Sequence, residues 1–170
     1  VPALGLAIDT SQEGLIPKAL RPLLEKRIEM KKHLASTPSW DPFRRNYTRR
    51  ASALKWLLVT CFGYLGYKNA RFGRIEAHQA VTAYGREALL RAKETAEDLG
   101  FEVIQLYVDG LWVQHPDKTR PEDIEPLLLE IQERTGLPIS LDGIYRWVVF
   151  VGSRQNKKRP VANRYFGVFQ

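Results

Sequence analysis

The side chain best placed for chemistry is the carboxylate of Asp109, which precedes Gly110 between two apolar runs. The runs, residues 103–108 and 111–113, are rich in β-branched and aromatic residues and predict two strands joined by a tight turn. An Asp-Gly pair favours a hairpin in which both central residues have positive φ. Such a turn can be purely structural. It can also be a rigid tip that fixes a carboxylate as a metal ligand.

Cations on two predicted helices form a second candidate site. Arg27 and Lys31 are four residues apart, so they share one helix face. Lys55 lies on the face of the next helix that also carries Val59 and Phe62. A lysine in an apolar face is unfavourable unless it meets an anion or extends to solvent. In a helical hairpin the three cations would approach one another and could hold one phosphate chain; a solvated basic surface is the alternative.

Composition narrows the class of partner. The 170 residues include 26 Lys and Arg against 19 Asp and Glu, a net charge of +7, which favours an anionic partner such as nucleic acid or a nucleotide. No run of apolar residues is long enough for a membrane span and no signal peptide is present, so we expect a cytoplasmic protein without a membrane partner. Cys61 is the only cysteine, which excludes an internal disulfide.

The periodicity predicts an α/β (α+β) fold. We expect an antiparallel sheet that carries the Asp109 hairpin, is backed by two helices, and has a helical hairpin projecting from it. The second helix is apolar nearly all round, which predicts heavy burial or a bound ligand. In the third helix, Val81 and Tyr84 are expected to face inward. The predicted helices are 17–35, 47–65, 75–99 and 121–135, and strands are expected at 145–151, buried, and 164–169.

In this order the elements resemble the fingers and palm of family B DNA polymerases, and we expect a divergent, bacterial-type member. The segment 14–32 resembles the first fingers helix, with Arg27 and Lys31 on its two triphosphate-contacting cations. The segment 49–67 resembles the second fingers helix, whose pattern is a lysine followed by Asn-Ser-x-Tyr-Gly. Lys55 matches the lysine. The turn resembles the family's Asp-Thr-Asp motif, with Asp109 on the second aspartate.

Several positions depart from the family pattern. Val59 stands for asparagine, Phe62 for tyrosine and Tyr107 for the first aspartate of the turn. The resemblance still implies that Val59 and Phe62 are nucleotide-binding residues, since the Phe62 ring can stack against a sugar or base. The segment 163–167, NRYFG, resembles the Lys-Lys-Arg-Tyr element that contacts the primer-template duplex, with Ala162 and Asn163 in place of the paired lysines. The resemblance assigns DNA contact to this segment, and the basic loop before it adds two lysines; the expected DNA-binding residues are Lys157, Lys158, Asn163, Arg164 and Tyr165.

The resemblance implies a template-directed DNA polymerase that uses two Mg2+ ions, with primer-template DNA and deoxynucleoside triphosphates as partners. The expected division is a lead-in at 1–16, fingers at 17–66 and palm at 67–170. Both ends look cut, so we expect a fragment, inactive alone, of a larger polymerase whose remainder supplies another catalytic aspartate before Val1. A non-catalytic nucleic-acid-binding module and a nucleotide-binding scaffold are the alternatives.

Overall fold

A computed structural model describes residues 4–157 and 159–170, which contain four helices and four strands. The helices lie close to their predicted positions, with α2 beginning three residues earlier than expected. The last strand begins four residues earlier than expected. The elements are α1 Leu15–Ser36, α2 Arg44–Leu65, α3 Ile75–Asp98, β1 Glu102–Tyr107, β2 Gly110–Gln114, α4 Pro121–Thr135, β3 Tyr145–Gly152 and β4 Pro160–Phe169.

The chain divides into two compact units, and the boundary, between Ala83 and Tyr84, falls within α3. In the first unit α1 and α2 pack against each other as a helical hairpin. The seam is lined by half-buried side chains that recur every three or four residues on each helix, and Ala51 of α2 is buried there. Small residues at such a seam let two helices approach closely, because they keep the interaxial distance short.

Arg44, the first residue of α2, ties the two helices together. Its Nη1 donates hydrogen bonds to the backbone carbonyl of Leu34, at 2.8 Å, and to that of Thr37. Both carbonyls lie at the carboxyl-terminal end of α1, where the last four carbonyls lack partners within the helix. A cation there also interacts favourably with the helix dipole. Arg44 is therefore a cap for the carboxyl-terminal end of α1.

In the second unit a hydrophobic core joins α3, α4 and the start of β1. Phe101 is at its centre, 4% exposed, with its backbone N–H bonded to the Ala96 carbonyl at 2.9 Å. Gly100, just before it, has φ of 81°, and this left-handed residue ends α3 as expected from the sequence. Gly136 ends α4 in the same way, with φ of 68°. The buried core residues are Ala92, Ala96, Phe101, Ile124, Leu127 and Ile131.

The strands pair antiparallel, as predicted, but in two separate two-stranded sheets, β1 with β2 and β3 with β4. Aromatic contacts link them: the Trp112 ring on β2 meets Tyr165 on β4 edge-on, with 5.3 Å between centroids. It meets Phe150 on β3 in the same way at 6.3 Å. The β1–β2 hairpin that carries Asp109 is thus supported by α3 at its base and by the β3–β4 hairpin at its side.

Burial was predicted less well than position. Val81 and Tyr84, expected to face inward, are about half exposed, and the buried face of α3 is made of small residues instead. β3 was expected to be buried, yet Trp147 is 46% exposed. α2, whose second half is apolar nearly all round, buries Ala51 alone. The prediction that this helix is heavily buried is therefore wrong for the described residues. The alternative, a ligand bound against the helix, stays a prediction.

We predict that Arg44→Ala lowers the free energy of unfolding by roughly 1–3 kcal/mol, because two carbonyls at the end of α1 lose a charged donor. Urea unfolding followed by circular dichroism measures the loss. Arg45→Ala is the matched control, since Arg45 is exposed and has no described ion pair. Equal stability of the two variants would contradict the capping role of Arg44.

Candidate active site and nucleic-acid interface

The Asp109 hairpin turns one residue earlier than its Asp-Gly pair suggests. Tyr107 pairs with Gly110 across the sheet, so the two loop residues are Val108 and Asp109. Val108 has φ of 55° and is the only non-glycine residue with positive φ in the described part of the chain. The expectation that Asp109 and Gly110 are the central residues, both with positive φ, is therefore wrong.

Gly110 is at its position for a steric reason. A Cβ at residue 110 would lie 3.2 Å from Cζ3 and 3.3 Å from Cη2 of Trp112, closer than most carbon contacts allow. The indole of Trp112 therefore lies against the backbone of the turn. The strained residue is instead Val108, since a β-branched side chain is disfavoured in the left-handed region. The left-handed conformation of Val108 turns the chain, so that the next residue, Asp109, lies at the exposed tip.

The Asp109 carboxylate is exposed and has no hydrogen-bond or ion-pair partner in residues 4–157 and 159–170. An exposed hairpin tip leaves both oxygens open to a ligand, and hard divalent cations prefer carboxylate oxygens. However, no three histidine, cysteine, aspartate or glutamate residues of the described chain come together as a metal-binding group. Asp109 fits the role of one ligand, and a complete site needs others.

The three candidate phosphate-binding cations lie in the same helical hairpin. Arg27 is half-buried on the face of α1 that lines the seam with α2, and its Nε is covered from solvent without a hydrogen-bond partner. Lys31 and Lys55 are exposed on α1 and α2. A covered guanidinium nitrogen that lacks an acceptor is unfavourable, so an anion at Arg27 would remove that cost.

Val59 and Phe62 continue the exposed face of α2 beyond Lys55, at 52% and 39% exposure. One side of the Phe62 ring is covered by His78 of α3, whose ring stacks on it with centroids 4.2 Å apart. The His78 Nδ1 also lies 3.1 Å from the Phe62 carbonyl oxygen, within hydrogen-bonding distance. In the last turn of α2 the Gly66 N–H donates to the Gly63 carbonyl instead of the Phe62 carbonyl. His78 therefore supplies a partner for the Phe62 carbonyl, which would otherwise lack a donor.

His78 and Arg44 are the two positions that the sequence reasoning missed. His78 packs against Phe62, a predicted nucleotide-binding residue. Gly66 could have indicated the His78 contact. A Cβ at residue 66 would lie 3.1 Å from the His78 Nδ1, so a glycine at this position lets the imidazole approach. A glycine one turn after a predicted binding residue can indicate such close packing.

The predicted DNA-binding residues lie on β4 and in the loop before it. Asn163, Arg164 and Lys157 are exposed, and Lys158 lies outside the described residues. Tyr165 is partly covered by Trp112 and Phe150. Burial raises the pKa of the nearby Tyr145 phenol, and the adjacent Tyr165 raises it further. Strand β4 therefore presents polar side chains and a tyrosine beside the Asp109 hairpin.

One unit of the chain carries a tight hairpin with an exposed aspartate, and the other carries a helical hairpin with cations. Both elements are expected from the resemblance to family B polymerases. The model of DNA polymerase family B matches residues 4–122. The chain therefore belongs to DNA polymerase family B. No helix among the described residues is long and apolar enough to cross a bilayer.

Two curated archaeal relatives share about a third of their residues with this chain. "DNA polymerase 2" of Saccharolobus solfataricus is 34% identical over 154 residues, covering 91% of this chain and 21% of the relative. "DNA polymerase 2" of Aeropyrum pernix is 33% identical over 160 residues, covering 94% and 19%. The chain thus spans about a fifth of their length. Because these relatives are archaeal, the expected bacterial type stays a prediction.

A solved structure supports the fold. The family B DNA polymerase from the archaeon Pyrobaculum calidifontis has a TM-score of 0.70 to this chain at 30% identity. The similarity covers 99% of this chain and 20% of that polymerase. The mixture of helices and small antiparallel sheets is therefore that of a piece of a family B polymerase.

We predict that Val108→Gly raises the free energy of unfolding by about 1 kcal/mol, because glycine adopts positive φ without the strain of a β-branched residue. Val108 is 71% exposed, so little burial is lost. Val149→Gly, in the middle of β3, is the control and should lose about 1 kcal/mol. A loss of similar size at Val108 would show that its backbone is not strained.

Proposed function

We propose that this chain supplies the fingers and part of the palm of a template-directed DNA polymerase, which transfers a nucleotidyl group to a primer 3′ hydroxyl. The observation that carries the proposal is the unpartnered Asp109 carboxylate at the tip of a two-residue turn, within a chain that belongs to family B. In this reading residues 17–66 are fingers and residues 67–170 are palm. The remainder of the polymerase chain completes the active site.

Asp109 would be one ligand for the two divalent metal ions, normally Mg2+, on which this class of reaction depends. When bound, such ions favour deprotonation of the attacking hydroxyl and neutralise charge on the departing pyrophosphate. The strained Val108 and the packing of Trp112 against Gly110 would hold the carboxylate in one orientation. Its partner carboxylates would come from parts of the polymerase outside this chain, since the described residues contain no three-membered ligand group.

The helical hairpin would bind the incoming deoxynucleoside triphosphate. Arg27, Lys31 and Lys55 would contact the phosphates, and their fixed positions on two packed helices would orient the triphosphate for attack. The free face of Phe62 would stack on the sugar or base, beside Val59. His78 would keep the Phe62 ring in place from its other side, through the 4.2 Å stack.

Strand β4 would contact the primer-template duplex. Asn163 and Arg164 are exposed and can reach phosphates, and Lys157 and Lys158 would add charge from the adjacent loop. The Tyr165 ring, packed on Trp112, would place this strand next to the hairpin that carries Asp109. Such contacts fix the position of the duplex without reading its sequence.

A non-catalytic module that binds nucleic acid is the second candidate, and one observation favours it. Tyr107 occupies the place of the first aspartate in the turn motif, leaving Asp109 as the only carboxylate at the tip. Mg2+ gives up its water reluctantly and binds weakly to a lone carboxylate. The isolated chain is therefore expected to bind DNA with a strong salt dependence and to show no primer extension.

In the complete polymerase that carries this sequence, we predict that Asp109→Asn slows nucleotide incorporation by at least about a thousandfold, because a neutral amide cannot replace a bridging anionic ligand. Primer extension on a defined template measures the rate. Asp117→Asn removes another exposed carboxylate just after β2 and should leave the rate unchanged. Near-parental extension by the Asp109 variant would favour the non-catalytic module.

We predict that Lys55→Ala and Arg27→Ala each weaken incorporation chiefly through nucleotide binding or the closing step, with a much smaller effect on DNA affinity. Loss of one charged contact to a phosphate corresponds to roughly a tenfold or greater rise in the apparent nucleotide Kd. Pre-steady-state kinetics separates nucleotide binding from DNA binding. Lys26→Ala, an exposed neighbour on another face of α1, is the control. An unchanged nucleotide dependence in both variants would contradict the proposed role of the hairpin.

A further inference from the structure

The loop between α1 and α2, residues 37–43, exposes two aromatic side chains. Trp40 is 81% exposed, more than any other large apolar side chain in the described ranges, and Phe43 is 65% exposed. Leaving two such rings in water is unfavourable, because each buries a large apolar area when it is covered. Neither residue belongs to the proposed metal or triphosphate site. We call residues 37–43 the tip loop.

Backbone hydrogen bonds hold the tip loop in a defined conformation. The Asp41 N–H donates to the Pro38 carbonyl at 3.2 Å, and the Phe43 N–H donates to the Asp41 carboxylate at 2.7 Å. The Arg44 N–H donates to the Asp41 carbonyl at 3.1 Å. The two rings therefore extend from an ordered turn, and less conformational entropy is lost when a ligand covers them.

The surroundings of the tip loop are strongly cationic. From residue 30 to residue 55 the sequence has seven Lys and Arg residues and one carboxylate, that of Asp41, which accepts the Phe43 N–H. Arg45 and Arg49 are exposed and four residues apart, on one face of α2. Neither forms an ion pair with any acidic residue that the structure describes. Exposed aromatic rings beside unpaired arginines are complementary to a ligand that has both flat apolar surfaces and negative charge.

We propose that the tip loop binds single-stranded DNA, with unpaired bases stacked on Trp40 and Phe43 and phosphates held by Arg45 and Arg49. Stacking platforms next to a basic groove are the usual means of binding a single strand, and they bind without sequence preference. A duplex offers its phosphates to the arginines, but its bases are already stacked on each other. The aromatic rings therefore make the tip loop selective for unpaired DNA. This binding does not depend on metal, nucleotide or catalysis.

The test measures binding of a labelled thymidine oligonucleotide to the chain by fluorescence anisotropy, in the absence of metal and nucleotide. Trp40→Ala should weaken single-strand binding by at least about fivefold and leave duplex binding nearly unchanged, because only the stacking is lost. Trp40→Phe keeps an aromatic ring and should retain most of the single-strand affinity. Trp40→Leu keeps only the apolar character and should lose about as much affinity as Trp40→Ala. Trp147→Ala, on the exposed side of β3, is the matched control.

Three outcomes would overturn the proposal. The first is equal loss of single-strand and duplex affinity in Trp40→Ala. The second is a Trp40→Leu variant that binds as well as Trp40→Phe, which would point to an apolar protein partner. The third is unchanged single-strand affinity in Trp40→Ala together with loss in Arg45→Ala, which would leave charge alone as the cause. Nucleotide incorporation by the complete polymerase tests the catalytic role separately.

Discussion

The second unit depends on the way Phe101 joins two helices to a hairpin. Its backbone N–H closes the end of α3, its side chain fills the core against α4, and the next residue begins β1. The ring is also contacted by His115, edge-on at 5.2 Å, and by the Lys118 ammonium group, 4.4 Å from its centroid. Because His115 and Lys118 follow β2, one aromatic ring anchors both strands of the Asp109 hairpin at their base.

This anchoring explains how a short hairpin can keep its backbone in place. An isolated two-stranded sheet is marginally stable in water. Here β1 and β2 are supported at the base by the Phe101 core and along one side by the rings of Phe150 and Tyr165 against Trp112. The turn at the free end has no such support. Rigid support below an exposed tip is what a metal-binding carboxylate needs, since its affinity depends on orientation.

Elements that carry local signals were predictable from the sequence. Gly100 and Gly136 ended α3 and α4 where expected, because a left-handed residue is favourable only for glycine at a helix end. The turn could not be predicted at the same detail. Its central residues are set by the pairing of Tyr107 with Gly110, and an irregularity between Val103 and Gln105 shifts the register of β1 by one residue. A local preference for Asp-Gly carries no information about that shift.

The residues of the candidate site also fall into those that the sequence identified and those that depend on tertiary packing. Asp109, Arg27, Lys31 and Lys55 were identified from residue type, spacing and resemblance, and their roles stay predictions. The contact of His78 with Phe62 was not identified, because it joins two residues sixteen positions apart on different helices. Exposure was also misjudged: Val81 and Tyr84 have the right helical spacing for a buried face, but burial depends on what packs against that face.

The two-residue turn also limits how this region can change in length. Side chains on a strand alternate between the two faces of the sheet, so one inserted residue shifts the pairing and exchanges those faces. An insertion between Tyr107 and Gly110 that shifted this pairing would move Asp109 relative to both strands. This hairpin can therefore accept substitutions at Val108 more readily than any change in the number of its residues.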